Sequence, residues 1–246
     1  MYNFANQTAI ITGGTRGIGR GISEAFLAAG ANIIVTYAGN ETAANKFIQE
    51  NAQYRDQIDL YKFNVASSDE VTNFFKSVQD KYESVEILVN NSGIRKDAMV
   101  AMMKSKDWEE VIDINLKGTF LMSKGVIPLM LSKRYGRIIN ISSIGGELGL
   151  PGQANYAASK AGQVAISKSL SKELGKKKIT VNNVAPGFIE TELIDDLPPE
   201  LVKEYKKQVP LKRFGTVAEV AHTVLFLASQ EASYITGTTI EVSGGL

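Results

Sequence analysis

The 246 residues are 44% hydrophobic and 22% charged, enough apolar material to bury the core of one sizeable domain. The formal charge of +1 at pH 7 argues against a whole-molecule attraction to nucleic acid or membrane, so a partner selected by charge must be met by a local patch. Cysteine is absent and histidine occurs once, at His222; this excludes disulfides and thiol catalysis, supplies at most one ligand to an ordinary Cys/His zinc site, and leaves a Ser-His-Asp triad a single possible base.

The chain begins MYNFANQTAIITGG, without a basic region or a long apolar stretch, so neither a signal peptide nor a membrane span is expected and a cytoplasmic setting is the default. Short β-rich runs then alternate with longer helical ones. TAIIT (8–12) precedes a helical pattern over 17–29, ANIIVT (31–36) one over 42–53, and IDLYKFNV (58–65) one over 68–82. VEILVNN (85–91) precedes 107–132, GRIINIS (136–142) precedes 155–175, ITVNNVAPG (179–187) precedes 217–229, and TTIEVSGG (238–245) comes last. Several runs are apolar without strict alternation, as parallel strands covered on both faces require. The expected fold is therefore α/β, a Rossmann-type doubly wound, seven-stranded parallel sheet with helices on both faces, forming one domain over 1–246. His222 falls inside the apolar pattern VAEVAHTVLFLAS, where helix packing is the expected role. The stretch 187–215 carries Pro198, Pro199 and Pro210 and reads as irregular; a connection that long in one domain is expected to be a lid over the substrate.

Immediately after the first strand comes TGGTRGIGRGISEAF. Gly13, Gly17 and Gly19 form G-x-x-x-G-x-G, which departs from the usual G-x-G-x-x-G but serves the same end. Glycine permits a tight turn and close backbone approach, and the following helix offers free N–H groups and its positive end to a diphosphate. The loop residues Gly13, Thr15, Arg16, Gly17, Ile18 and Gly19 are thus candidates for dinucleotide binding. The second strand ends in Thr36, Tyr37, Ala38, Gly39 and Asn40, without the acid that binds a ribose diol. A neutral end near Arg16 suits a 2′-phosphate, so NADP(H) is the expected cofactor, with Tyr37 and Ala38 beside it. Glu41 is the dissenting residue: it could reach a ribose, or equally stand in a helix first turn where the dipole favours an acid. Farther on, NYAASKAG places Tyr156 four residues before Lys160, which on a helix puts phenol and ammonium on one face. Alone, that spacing is common.

TGGTRGIG, NNSG at 90–93, Asn115 in IDINLKG, Ser143 in INISSIGG, YAASK and NNVAPG at 182–187 occur in the order and spacing of the short-chain dehydrogenases/reductases, and the resemblance covers the whole chain. NNSGIRKDAMVAMM, GQANYAASKAG, VAPGFIETEL, QVPLKRFG and YITGTTIEVSGG resemble, more narrowly, the branch that reduces 3-oxoacyl groups borne on acyl carrier protein. The resemblance implies Tyr156 as proton donor to the developing alkoxide, with Lys160 tuning it and binding the nicotinamide ribose. Ser143 would hold the substrate oxygen and Asn115 the water that connects Lys160 to solvent. Ser142 is the neighbouring candidate if the register is off by one. It further implies Asn64 and Val65 at the adenine, Asn91, Ser92 and Gly93 at the adenosine ribose, and Pro186, Gly187 and Ile189 at the nicotinamide amide. Two positions depart from the family pattern: Ser92 stands where alanine is common, and Glu86 where aspartate is. Acyl carrier proteins are acidic, so a positive surface beside the active-site mouth is expected. SKRYGR and GKKKIT supply basic residues, of which Arg134 and Lys177 fall at the resembling family's carrier-binding positions. The family's common homotetramer is the expected assembly, since the chain stops at VSGGL with no tail to block it. The competing expectations are a reductase of acetoacetyl-CoA or another ketone, and a catalytically silent dinucleotide-binding regulator.

Overall fold

The computed structural model describes residues 2–192 and 198–246. Its elements in order are β1 (Thr8–Thr12), α1 (Gly17–Ala28), β2 (Asn32–Tyr37), α2 (Glu41–Glu50), β3 (Ile58–Lys62), α3 (Ser68–Lys81) and β4 (Ile87–Asn90). There follow α4 (Ser105–Ile112), α5 (Gly118–Lys133), β5 (Gly136–Ile141), the single turn α6 (Gly145–Leu148), α7 (Ala154–Leu174), β6 (Ile179–Pro186), α8 (Pro199–Gln208), α9 (Val217–Ala228) and β7 (Thr239–Val242). The strands form one sheet in the order β3-β2-β1-β4-β5-β6-β7, every pairing parallel.

Alternate strand residues feed two separate cores, as the two-residue period of a strand dictates. Ile11, Ile33, Val35, Val89 and Ile139 pack against Phe26 of α1, Phe47 of α2 and Val224 of α9. Their neighbours Ile10, Ile34, Leu88 and Ile138 face the opposite way, onto Phe74 of α3, Val126 of α5 and Leu174 of α7. Fully burying one such side chain is worth roughly 1.5–3 kcal/mol, against roughly 0–1 kcal/mol for an exposed ion pair. The two apolar layers therefore hold the sheet between its helices. No helix among the described residues is long and apolar enough to cross a membrane.

The strand order reverses between β1 and β4, which opens a crevice beyond their carboxyl ends, the usual ligand position in such sheets. The glycine loop follows β1 and the Asn91–Ser92–Gly93 turn follows β4, so both line it.

Three expectations need correction. The single helix expected over 107–132 is broken by a π turn at Asp113–Lys117; an i→i+5 turn is not visible in hydrophobic periodicity, because it adds one residue without changing the apolar faces beside it. The stretch 187–215 is not wholly irregular, since α8 lies within it with Pro199 in its first turn. The Pro198–Pro199 pair of that stretch starts the helix, where a fixed φ and a missing N–H cost nothing. Residues 193–197 of the expected lid lie outside the described residues. Finally, His222 is exposed, and the residues of α9 that pack are Val220, Ala221, Val224 and Leu225.

Candidate active site

Tyr156 and Lys160 stand in the first two turns of α7, whose amino end is tied down from two sides. The Asn155 side chain donates to the Lys96 carbonyl at 3.0 Å, and Gly146 packs so closely on the helix that an added Cβ would lie 3.0 Å from the Ala161 nitrogen. The Lys160 ammonium lies 5.6 Å from the centre of the Tyr156 ring and donates to the Ile141 carbonyl at 2.7 Å. It is 4% exposed, and burial lowers its pKa to about 8, since a low-dielectric surrounding disfavours the charged form. At pH 7 it still carries its proton.

The phenol of Tyr156 is pulled two ways. Burial, the largest effect, raises its pKa overall and the negative charge of Asp97 adds to the rise, while the neighbouring Ser143 hydroxyl and the positive charge of Arg95 offset part of it. The two serines at the end of β5 have separate fates. Ser142 is buried with its hydroxyl donating to the Val184 carbonyl of β6 at 3.2 Å, while the Ser143 hydroxyl faces Tyr156 and accepts from the Gly145 N–H at 3.1 Å. Of the two, only Ser143 shares space with the phenol.

Asn115 occupies the middle of the π turn and is fully buried. Its side chain accepts from the Ile94 N–H at 2.8 Å and donates to the Ile94 carbonyl and the Ser159 hydroxyl, both at 3.0 Å. Its main-chain carbonyl accepts from Thr119 Oγ1 at 2.7 Å and Gln163 Nε2 at 2.8 Å. The π turn thereby joins α5 to both α7 and the loop after β4. Gly93 lies between Asn115 and Lys160: a Cβ there would sit 3.3 Å from Asn115 Oδ1 and 3.5 Å from Lys160 Nζ.

The glycine loop is clamped from β4. Thr12 Oγ1 accepts from the N–H groups of Asn91 and Ser92, at 2.9 and 3.0 Å, and Asn91 Nδ2 donates to the carbonyls of Thr12 and Gly13, at 3.0 and 3.1 Å. Asn91, expected at the ribose, thus commits its side-chain donors to the loop, and Thr12, which no sequence motif singles out, is the acceptor that fixes the turn after β4 against it. Gly19 is where close approach is decisive, because an added Cβ would stand 2.2 Å from the Gly13 carbonyl oxygen. Arg16 precedes α1 without a side-chain cap, and among the described residues the N–H groups of Gly17, Ile18 and Gly19 find no acceptor in the chain. A turn of free donors at a positive helix end is the donor set a diphosphate requires. Ser92 lies against the loop, its hydroxyl 3.1 Å from where a Gly13 Cβ would be.

The other expected cofactor residues lie at or just beyond the carboxyl ends of β2, β3 and β6. Tyr37 closes β2 and Ala38 is exposed after it. Glu41 pairs with Lys62 at 2.5 Å in the first turn of α2, so its carboxylate is held toward β3. Asn64 accepts from the Ala66 N–H at 3.0 Å, and Val65 is buried against the start of α5 at Gly118. Pro186 ends β6, Gly187 donates to the Val242 carbonyl at 3.0 Å, and Ile189 bridges to Gly215. That bridge uses the Phe188 carbonyl and the Glu190 N–H, so the N–H and C=O of Ile189 itself point to its other side. Phe188 stacks on Tyr205 of α8, ring centres 4.8 Å apart.

Arg134 and Lys177 do not lie beside this mouth. Arg134 closes α5 and reaches the Lys176 carbonyl at 3.4 Å; both basic groups sit before β5 and β6 begin. Six strand residues separate that edge from Ser143, roughly 20 Å at about 3.3 Å per residue. Sequence spacing shows that two groups are basic; only the sheet shows which end they occupy.

Residues 13–246 match the family described as enoyl-(acyl carrier protein) reductase. The chain is 45% identical over 241 residues to the 3-oxoacyl-[acyl-carrier-protein] reductase of Staphylococcus epidermidis, covering 98% of this chain and 99% of that protein. It is 44% identical over 247 residues to the Synechocystis sp. protein of the same description, covering 100% and 99%. The Aquifex aeolicus relative, again a 3-oxoacyl-[acyl-carrier-protein] reductase, is 42% identical over 240 residues, 98% and 97% of the two chains.

Proposed function

The chain belongs to the short-chain dehydrogenase/reductase family, an oxidoreductase family that uses a nicotinamide dinucleotide, and from that premise we propose that it reduces 3-oxoacyl-[acyl-carrier-protein] to the 3-hydroxyacyl form with NADPH, as a cytoplasmic enzyme of fatty acid synthesis. The observation that carries the reading is the meeting of Tyr156, Ser143 and Lys160 at the carboxyl end of β5, facing the crevice lined by the glycine loop.

When bound, NADPH supplies the hydride. The free N–H groups of Gly17, Ile18 and Gly19 would hold its diphosphate, and the outward N–H and C=O of Ile189 its carboxamide. Arg16, which makes no ion pair among the described residues, would meet the 2′-phosphate. The pairing of Glu41 with Lys62 supports this choice over NADH, because it holds the competing acid elsewhere. Ser143 orients the ketone oxygen by donating a hydrogen bond, and Tyr156 gives that oxygen its phenolic proton as negative charge develops there. The ammonium of Lys160 then favours the phenolate left behind. Asn115, by fixing the π turn and the Ile94 backbone, holds the wall through which a water chain would resupply the proton.

The assembly proposed is a homotetramer; because Arg134 and Lys177 lie before β5 and β6 begin, away from Ser143 of their own chain, carrier docking on them would require the mouth of another subunit. The test of the whole reading is NADPH oxidation with acetoacetyl-carrier protein, acetoacetyl-CoA and unrelated ketones compared side by side. The carrier thioester should give the highest kcat/KM; preference for a free ketone would replace the proposed substrate. Tyr156→Phe should lose nearly all turnover with cofactor affinity held within a few-fold, and a variant retaining a tenth of the rate would remove the tyrosine from its role.

A further inference from the structure

The loop after β4 carries a second cation to the Tyr156 ring, on a different element from Lys160. The guanidinium carbon of Arg95 lies 5.9 Å from the ring centre. It is held there by Asp97, whose carboxylate pairs with the Arg95 guanidinium and also accepts from Gln153 Nε2 at 3.1 Å. Gln153 is buried just before α7 begins, three residues ahead of Tyr156. Arg95, Asp97, Gln153 and Tyr156 thus form one chain of contacts, running from the loop onto the catalytic helix. Lys160 reaches the same ring on its own helix, Ser143 contributes its hydroxyl from the turn after β5, and Tyr205 of α8 lies within electrostatic reach of Arg95. Among the described residues, these are the charged and titratable groups that act on the phenol or on its arginine.

We propose that Arg95 is a positioning residue for proton transfer: tethered by Asp97, it holds positive charge over the Tyr156 ring and shares with Lys160 the stabilisation of the phenolate. The inference rests on the reading of Tyr156 as proton donor. Its chemical reason is that a phenolate formed in a half-buried site needs compensating positive charge, and the ring has cations near it from two different elements, Lys160 on its own helix and Arg95 from the loop after β4. Asp97 has two opposed effects. It fixes the arginine, and its own negative charge pulls the phenol's pKa upward.

The experiment is an ultraviolet difference titration of tyrosinate on the full-length protein, with Tyr156→Phe as the blank, run for wild type, Arg95→Gln, Arg95→Lys and Asp97→Asn. Arg95→Gln should raise the midpoint by about 0.5–1 pH unit, the size Coulomb's law gives for a charge about 6 Å away at an effective dielectric of about 40–80. Asp97→Asn should lower it, and Arg95→Lys should restore most of the wild-type value. The kcat/KM profile for oxidation of a 3-hydroxyacyl thioester, which requires phenolate, should shift its rising limb in the same directions. Equal midpoints in all four proteins, or shifts of the same sign for Arg95→Gln and Asp97→Asn, would overturn the proposal. Turnover by Tyr156→Phe is the separate arm: if it persists, the donor assignment fails whatever the titration gives.

Discussion

Replacing Lys160 by methionine should make the cofactor-free protein more stable at pH 7 while abolishing its chemistry. Lys160 is 4% exposed and its pKa falls from 10.5 to about 8, which at about 1.4 kcal/mol per tenfold corresponds to about 3 kcal/mol of unfavourable burial. The substitution also strips the Ile141 carbonyl of the bond it receives at 2.7 Å, a loss of about 1–2 kcal/mol. The net gain is then about 1–2 kcal/mol, or roughly 2–8 °C in Tm at roughly 2–4 °C per kcal/mol for a chain of this size. Methionine fills the channel with a similar unbranched volume, so no cavity offsets the gain. The pH dependence supplies the sharper check. The unfolded lysine keeps its proton to about pH 10.5 whereas the folded one releases it near 8, so between these values the unfolded state binds more protons and wild-type stability rises with pH. Calorimetry at pH 7 and at pH 9.5 should therefore show the methionine variant ahead at the lower pH and the gap narrowing at the higher. A variant less stable at pH 7, or a gap indifferent to pH, would refute the reasoning.

Gly19→Ala should remove dinucleotide binding, measured by titration of NADPH fluorescence, because its Cβ would meet the Gly13 carbonyl at 2.2 Å and backbone cannot give way cheaply; binding within threefold of wild type would contradict that. Gly125→Ala, far from the site, should cost about 1–3 kcal/mol in denaturant unfolding, since its Cβ would lie 2.1 Å from the Phe75 ring, and should leave KM unchanged. kcat/KM should favour NADPH over NADH by at least about tenfold, about 1.4 kcal/mol, and Arg16→Ala should shrink that ratio by weakening NADPH; equal use of NADH would return Glu41 to the ribose.

The strands and most helices are legible in the chain because each obeys a local rule. Runs such as ANIIVT and GRIINIS are apolar on both faces, and the structure shows why: neighbours such as Ile138 and Ile139 enter opposite cores. The spacing of Tyr156 and Lys160 likewise survives folding, because an i, i+4 pair on a helix shares a face whatever surrounds it. What local pattern cannot carry is any contact between distant segments. The π turn at Asn115, the clamp of Thr12 on Asn91 and Ser92, and the approach of Arg95 to Tyr156 each join residues that lie tens of positions apart or change the helix period without changing composition. Ser142 and Ser143 are chemically identical neighbours, and the strand's alternation sends one hydroxyl to Val184 and the other to the phenol. Arg134 and Lys177 are basic in any conformation, yet the direction of β5 and β6 puts them at the edge of the sheet away from the chemistry. Residue type and period are local properties and were already present in the chain; pKa, which end of the sheet a charge occupies, and which hydroxyl meets the phenol depend on burial and direction, which arise only when the strands are laid side by side.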